Sequence, residues 1–153
     1  MGYRVIGIDI SPDALLEAKA QGAEHVFNPI KDKDYVQTIK QLTTKGCKAA
    51  INFTNSAAAY AAAPDVLRIN GLLLVVGIPQ QPLTFKALDL SMCKFRVKGA
   101  NNGTQPTLQK CIDFSHKHDI KPHMEVYSLD RFEEMIDVMK KGEQRGRLGV
   151  VFD

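Results

Sequence analysis

Short apolar runs that alternate with helix signals are the feature that most constrains the fold of this chain. Residues 3–10, 49–54 and 72–77 are mostly apolar, and the first and last of these runs are rich in isoleucine, valine and leucine. A run without polar alternation is typical of a strand in a parallel sheet, because helices cover both faces of such a sheet. The order of these runs and the helices between them predicts an α/β fold with a largely parallel sheet.

Capping residues indicate where the first helices begin and end. Ser11 can accept hydrogen bonds from free amide groups, and Pro12 lacks the N–H that a helix leaves unpaired in its first turn. Gly22 suits the end of this helix. A later alanine-rich helix is expected to end at Asn70 and Gly71, since both residues tolerate a positive φ.

The last third of the chain contains two amphipathic helices and a terminal strand. Leu108 and Ile112 share the apolar face of the first helix, the second helix occupies residues 131–141, and the strand occupies residues 148–152. Before them, residues 94–98 alternate basic and apolar side chains. This alternation indicates a strand with one exposed face, of the kind that lysines protect at the edge of a sheet.

The composition argues against several classes of function. The 153 residues are 44% hydrophobic and 24% charged, as in soluble globular domains, and the net charge of +3 is scattered along the chain. Nucleic acid and membrane are therefore not expected as partners. The three cysteines have neither a disulfide framework nor a CxxC spacing, so a reducing, cytoplasmic location is expected.

No group of residues has the pattern of a catalytic or metal centre. His116 and His118 lie two positions apart and so diverge on a helix, while His25 and His123 are isolated. The chain has no Ser-His-Asp order and no GxSxG motif. The sequence therefore predicts no catalytic residue and no metal ligand in this chain.

Asp9 ends the first apolar run. An acid at the carboxyl end of such a strand can accept hydrogen bonds from the ribose hydroxyls of a dinucleotide, and it repels a 2′-phosphate, which favours NAD over NADP. Its local sequence, followed by Ser11 and Pro12, equally suits a turn and helix cap. No GxGxxG turn, which would bind the pyrophosphate, occurs anywhere in the chain.

Two glycine-containing segments follow predicted strands. They are Val76-Gly77-Ile78-Pro79 and Gly99-Ala100-Asn101-Asn102-Gly103. Each segment suits either a simple turn or a place where a ligand approaches the backbone closely.

Several segments taken together resemble the cofactor-binding half of the zinc-dependent medium-chain alcohol dehydrogenases. They follow the order of that family over essentially the whole chain: Tyr3-Arg4-Val5-Ile6-Gly7-Ile8-Asp9, Gly22-Ala23-Glu24-His25-Val26, Gly71-Leu72-Leu73-Leu74-Val75-Val76-Gly77, Asp130-Arg131-Phe132-Glu133 and Gly146-Arg147-Leu148-Gly149. The resemblance implies a Rossmann-like, doubly wound, mainly parallel sheet. It also implies NAD as the cofactor and an alcohol or aldehyde as the substrate.

The resemblance also assigns roles to single residues. Asp9 looks like the ribose-binding acid, Thr54 lies near the adenine, and Arg147 resembles an arginine that reaches the pyrophosphate. The other candidates face the nicotinamide: Val76, Gly77, Ile78, Ala100 and Asn101. Residues 1–125 would form an incomplete dinucleotide-binding domain, and residues 126–153 would return toward a substrate domain.

The family pattern has a substrate domain with zinc ligands, a first strand and a glycine-rich turn before the position of Met1. The resemblance therefore implies a C-terminal fragment that lacks these parts. Because the first strand is central in the order 3-2-1-4-5-6, the strands at residues 3–9 and 49–54 would be unpaired neighbours. Three arrangements could fill the gap: direct pairing of these strands, insertion of residues 148–152, or a strand from another chain, which we favour.

The expected function is the cofactor side of hydride transfer between an alcohol and NAD. The fragment alone is expected to bind NAD weakly or not at all, to hold no zinc and to be inactive, so it is not assigned as an enzyme by itself. A homo-oligomer is expected. The alternative is a noncatalytic association module that pairs through the strand at residues 94–98.

Overall fold

The computed structural model describes residues 2–142, 144 and 146–152 and divides into two compact units, Met1–Asn101 and Asn102–Asp153. The first unit contains β1 (Ile6–Ile8), α1 (Pro12–Ala20), β2 (His25–Phe27), α2 (Tyr35–Thr43), β3 (Cys47–Asn52), α3 (Ala57–Ala62), a 3-10 turn (Ala63–Val66), β4 (Leu67–Val75), α4 (Ala87–Ser91) and β5 (Phe95–Gly99). The second contains α5 (Gln105–Lys117), β6 (Met124–Ser128), a 3-10 turn (Leu129–Arg131), α6 (Phe132–Lys141) and β7 (Arg147–Val151).

Every strand pair in the described part of the chain is parallel. In the first unit β1 pairs with β2, and β4 lies between β3 and β5 in a three-stranded sheet. In the second unit β6 pairs with β7. The predicted α/β class with parallel strands is therefore confirmed.

The first helix begins where its capping residues predict. The Ser11 hydroxyl accepts a hydrogen bond from the Ala14 N–H at 3.3 Å, and Pro12 occupies the first turn. The helix ends at Ala20, and Gly22 follows with a φ of +99°. This local stop signal works because glycine has no Cβ to strain in the left-handed region.

The prediction that a helix ends at Asn70 and Gly71 is wrong. The helical turns end at Val66, and β4 already runs through Asn70, which has a φ of +59°. The Asn70 N–H lies 3.0 Å from the carbonyl oxygens of both Cys93 and Lys94. The positive φ of Asn70 therefore belongs to a β-bulge in β4, at which the pairing register between β4 and β3 shifts.

The core of the first unit lies against one face of the three-stranded sheet. Tyr60, Leu67, Leu73 and Phe95 are buried together. The Phe85 ring packs edge-on against Phe95, with 5.7 Å between the ring centroids. This packing fixes β3, β4 and β5 as one body.

The second unit buries little apolar surface. Met135 of α6 is buried, and α6 ends at Gly142 in a left-handed conformation. The predicted apolar face of α5 is present in the sequence, but Leu108 and Ile112 are exposed. None of the described helices is long and apolar enough to cross a membrane.

The two strands expected to flank a gap do not pair with each other. Among the described residues β1 pairs with β2 only, β3 pairs with β4 only, and the terminal strand β7 pairs with β6. Direct pairing of β1 with β3, one of the three arrangements considered from the sequence, is therefore not observed.

Leu73→Ala tests the core assignment. Leu73 is fully buried, so we expect the substitution to lower the free energy of unfolding by about 2–5 kcal/mol. Leu16→Ala, at an exposed position of α1, should change it by less than about 0.5 kcal/mol. Urea unfolding followed by circular dichroism measures both, and equal effects would contradict the described core.

Candidate functional site

A tight turn at the carboxyl end of β3 positions Thr54. Asn52 is buried, and its Oδ1 accepts hydrogen bonds from the Thr54 N–H at 2.9 Å and the Thr54 hydroxyl at 2.8 Å. The Thr54 Oγ1 in turn accepts from the Ser56 N–H at 3.2 Å. Because each group is held by the next, the exposed Thr54 is fixed at the end of the strand.

The carboxyl end of β4 crosses close to this turn. The N–H groups of Val76 and Gly77 both donate to the carbonyl oxygen of Asn52, at 3.1 and 2.9 Å. A Cβ on Gly77 would overlap the carbonyl oxygen of Thr54 and lie 2.5 Å from the carbonyl carbon of Phe53. The close backbone approach that the sequence suggested at Gly77 is therefore an approach to its own chain.

Tyr60 joins the two strand ends from the core side. Its hydroxyl oxygen lies 2.6 Å from the carbonyl oxygen of Gly77 and 3.0 Å from that of Asn52. Neither Tyr60 nor Asn52 was identified from the sequence. The available signal was weak: a single polar residue near the end of an apolar strand and a tyrosine within an alanine-rich helix.

The chain after β5 lies beside the same edge of the sheet. The Ala100 N–H donates to the carbonyl oxygen of Val75 at 2.8 Å, and Asn101 follows it in an exposed position. Ile78 is also exposed. Since β3, β4 and β5 are parallel and adjacent, their carboxyl ends bring Thr54, Val76 and Ala100 to one edge.

Asp9 forms the turn that its local sequence allowed. Its Oδ1 accepts a hydrogen bond from the Ser11 N–H at 2.8 Å, which forms the turn into α1. Its backbone N–H donates to Phe27 of β2 at 3.2 Å. Within the described part of the chain Oδ2 accepts no hydrogen bond. One carboxylate oxygen thus builds the turn into α1.

Arg147 belongs to the second unit. It is the first residue of β7, its side chain is exposed, and its backbone N–H donates to the carbonyl oxygen of His123 at 2.9 Å. The strand therefore fixes the backbone of Arg147 and leaves the guanidinium at the surface.

Two open cavities are lined by none of the predicted cofactor residues. One, of about 560 Å³ between β2 and α2, is lined in part by Phe27, Lys31 and Tyr35. Burial raises the pKa of the Tyr35 hydroxyl, and the nearby Asp65 carboxylate adds to this. The other, of about 480 Å³, is lined in part by Ser128 and Phe152. We place the candidate site at the strand ends, because side chains and backbone groups from three adjacent parallel strands meet there.

The described residues do not fit a metal ion. In this part of the chain no group of three or more His, Cys, Asp and Glu side chains could hold one. Burial raises the pKa of the Cys47 thiol, which stabilises the neutral form that is the poorer metal ligand.

Comparisons with known proteins agree on one group of enzymes. A family model described as zinc-binding dehydrogenase matches residues 1–117. An alcohol dehydrogenase of Geobacillus stearothermophilus is 31% identical over 148 residues, which is 97% of this chain and 43% of that enzyme. The chain thus spans less than half the length of this relative.

Solved structures show the same fold. The alcohol dehydrogenase of Aeropyrum pernix superposes with a TM-score of 0.81 at 25% identity, over 94% of this chain and 41% of that structure. A structure described as an NAD-dependent alcohol dehydrogenase gives a TM-score of 0.82 at 21% identity, over 99% of this chain and 45% of that structure. The Rossmann-like arrangement expected from the sequence is therefore confirmed.

Gly77→Ala tests the crossing of the two strand ends. The added Cβ must displace the backbone at Phe53 and Thr54, so we expect a loss of about 1–3 kcal/mol in the free energy of unfolding. Gly99→Ala is the matched control, because a Cβ there meets nothing within 4 Å. Urea unfolding and amide chemical shifts at Thr54 and Ile78 measure the effect. If Gly77→Ala changes neither the free energy of unfolding nor these shifts, the described crossing of the two strand ends is contradicted.

Proposed function

The chain belongs to the zinc-binding dehydrogenase family, and from this premise we propose that it forms the cofactor-binding portion of an NAD-dependent alcohol dehydrogenase. The reaction we assign to the complete enzyme is hydride transfer between an alcohol and NAD. This chain supplies residues on the cofactor side of that reaction.

The Asp9 carboxylate is the observation that carries the proposal. It lies at the carboxyl end of a parallel strand, and its Oδ2 is not used by the described part of the protein. A carboxylate in this place accepts hydrogen bonds from the two ribose hydroxyls of adenosine. The same negative charge repels the 2′-phosphate of NADP, which supports NAD as the cofactor.

We assign the nicotinamide end to the edge formed by β4 and β5. The segment Val76, Gly77 and Ile78 would contact the nicotinamide, with Ala100 and Asn101 beside it. Tyr60 and Asn52 hold this backbone in place from the core. Because this backbone is already ordered before the ligand binds, binding costs little conformational entropy. Thr54 is assigned to the adenine side.

This chain offers the pyrophosphate of NAD fewer contacts than it offers the other parts of the cofactor. Arg147 is the residue we assign to it. The chain contains no glycine-rich turn, whose backbone amides would form charge-assisted hydrogen bonds with the phosphates. The residues that we assign therefore fit the two nucleoside ends of NAD better than its pyrophosphate.

Bound NAD supplies the acceptor for the hydride, and the residues of this chain orient it. Zinc is not assigned to this chain, because the described residues hold no fitting ligand group. For the complete protein we propose an alcohol or aldehyde substrate, a cytoplasmic location and a homo-oligomeric state. We also keep the division into a cofactor-binding part at residues 1–125 and a returning helix and strand at residues 126–153 as a proposal.

We expect this chain alone to bind NAD with a dissociation constant of about 1 mM or weaker and to oxidise no alcohol. Losing two or three charge-assisted hydrogen bonds, at about 1.5–3 kcal/mol each, weakens binding by a thousandfold or more. Titration calorimetry and amide chemical shifts measure the affinity. A micromolar dissociation constant would contradict this prediction.

Asp9→Asn isolates the carboxylate in the same titration. The substitution should weaken NAD by about tenfold, since a hydrogen bond to a charged group contributes about 1.5 kcal/mol. It should also reduce the preference for NAD over NADP. Asp34→Asn is the matched control, because the Asp34 side chain caps no amide at the start of α2. Equal affinities in Asp9→Asn and the unmodified chain would remove the basis of the proposal.

The second candidate function is a noncatalytic association module. It is favoured by the position of β5, which ends the three-stranded sheet of the described residues and so has a free edge. Mixing this chain with a full-length relative and measuring mass by light scattering separates the two functions. A pure association module would form mixed dimers without contributing cofactor-binding residues. In that case Asp9→Asn would change neither the mass of the mixed dimer nor its affinity for NAD.

A further inference from the structure

The chain contains two Asn-Gly dipeptides, Asn70-Gly71 and Asn102-Gly103, and the structure places them in different surroundings. In an Asn-Gly dipeptide the glycine nitrogen can attack the asparagine side chain readily, because glycine has no Cβ to block the approach. In a folded protein the attack also requires the peptide between the two residues to rotate, which depends on how easily the local structure opens. The two dipeptides therefore provide a comparison within one molecule.

Asn70-Gly71 is held inside a sheet. Both residues belong to β4, which lies between β3 and β5. Gly71 is buried and pairs with Phe95, and a Cβ placed on it would lie 2.8 Å from the carbonyl oxygen of Arg68. Rotation of the Asn70-Gly71 peptide would break this pairing and needs space that the surrounding backbone fills. The first dipeptide is therefore protected while the sheet is intact.

Asn102-Gly103 lies in an open segment. Residues 100–104 belong to no helix and no strand, and each of them is exposed. The next element, α5, begins after this segment at Gln105. Within the described part of the chain the Gly103 N–H donates no hydrogen bond. The Gly103 nitrogen can therefore turn toward the Asn102 side chain without breaking a ladder of backbone hydrogen bonds.

We propose that Asn102 is a site of spontaneous deamidation, with the Gly103 backbone nitrogen as the attacking group and water as the co-reactant. The Gly103 nitrogen loses its proton to the solvent and forms a bond to the Asn102 Cγ. The bond from Cγ to the side-chain nitrogen then breaks, and ammonia leaves with a proton taken from water. A cyclic succinimide remains, and nothing is oxidised or reduced.

Hydrolysis of the succinimide gives two products. Water that opens the ring at the side-chain carbonyl produces aspartate at position 102. Water that opens it at the main-chain carbonyl produces isoaspartate, in which the chain continues through Cβ and Cγ and the α-carboxylate is free. Both products replace a neutral amide by a carboxylate, so each lowers the net charge of the chain by one. Direct hydrolysis of the side-chain amide would give aspartate alone.

The modification falls at a defined place in the chain. Asn102 directly follows Ala100 and Asn101, which we assign to the nicotinamide, so the charge beside that part of the candidate site changes. Asn102 also lies two residues before Thr104, the N-cap of α5. A negative charge close to the start of a helix interacts favourably with the helix dipole. We therefore expect the modified protein to keep its fold.

The experiment follows the unmodified chain at both dipeptides. The protein is incubated in mildly alkaline buffer, once folded and once unfolded in guanidinium chloride, and peptide mass spectrometry measures the conversion of Asn70 and Asn102. The two asparagines should convert at similar rates in the unfolded chain. In the folded protein Asn102 should convert at least about tenfold faster, because only Asn70 requires the sheet to open. Methyl transfer from S-adenosylmethionine by an isoaspartate-specific carboxyl methyltransferase measures the isoaspartate product.

Two matched glycine variants test the attacking group. Gly103→Ala should slow the conversion of Asn102 by at least about tenfold, because a Cβ hinders the approach of the nitrogen. The three atoms nearest to that Cβ all belong to the Thr107 side chain, the closest at 3.3 Å, so the variant is expected to fold. Gly99→Ala adds a Cβ that meets nothing within 4 Å and should leave the rate unchanged. Circular dichroism establishes that both variants keep their fold.

The rates and products at Asn102 decide whether it is a modification site. Faster conversion of Asn102 than of Asn70 in the folded protein, with isoaspartate among the products, supports the site. Equal rates at the two asparagines in the folded protein, or no conversion of Asn102 while the unfolded chain reacts, overturns it. Aspartate alone at position 102, or a rate that Gly103→Ala leaves unchanged, also overturns it, because the succinimide is then not the intermediate. All of these rates are measured without NAD, so they do not depend on the proposed function.

Discussion

The position of the Tyr60 side chain is the constraint on which the candidate site depends. Its ring is buried with Leu73 and Phe95, while its hydroxyl lies within hydrogen-bond distance of the carbonyl oxygens of Asn52 and Gly77. Because one side chain is held by packing and by polar contacts, the carboxyl ends of β3 and β4 cannot separate without opening the core. Polar contacts of this kind are strengthened by the low dielectric around them.

The two sheets of the first unit differ in size and in how much core packs against them. The sheet of β3, β4 and β5 has a buried cluster and two ladders of hydrogen bonds, whereas β1 and β2 are three residues long each and rely on α1 for cover. A two-stranded ladder alone is marginal in water. The sheet that ends at Val76 and Ala100 is therefore held more firmly than the strand pair that ends at Asp9.

Local signals made part of this structure predictable from the sequence. The start of α1 and the position of Asp9 depend on neighbouring residues, so Ser11 and Pro12 were sufficient to predict them. The turn at Asn70 and the contacts of Tyr60 were not predictable, because their partners lie just before β5 and at the ends of β3 and β4. Periodicity identified the apolar face of α5, but it carries no information about whether another surface covers that face.

The cofactor site that we propose has an uneven set of contacts. Asn52 and Tyr60 fix the backbone at the carboxyl ends of β3 and β4, and the Asp9 carboxylate uses one of its oxygens for the turn into α1. A pyrophosphate needs backbone amides that converge on it, as at the glycine-rich turn of a dinucleotide-binding sheet, and the sequence contains no such turn. Under the proposed function the two nucleoside ends of NAD therefore have positioned contacts and the charged centre has few, which is the physical reason to expect weak binding by the chain alone.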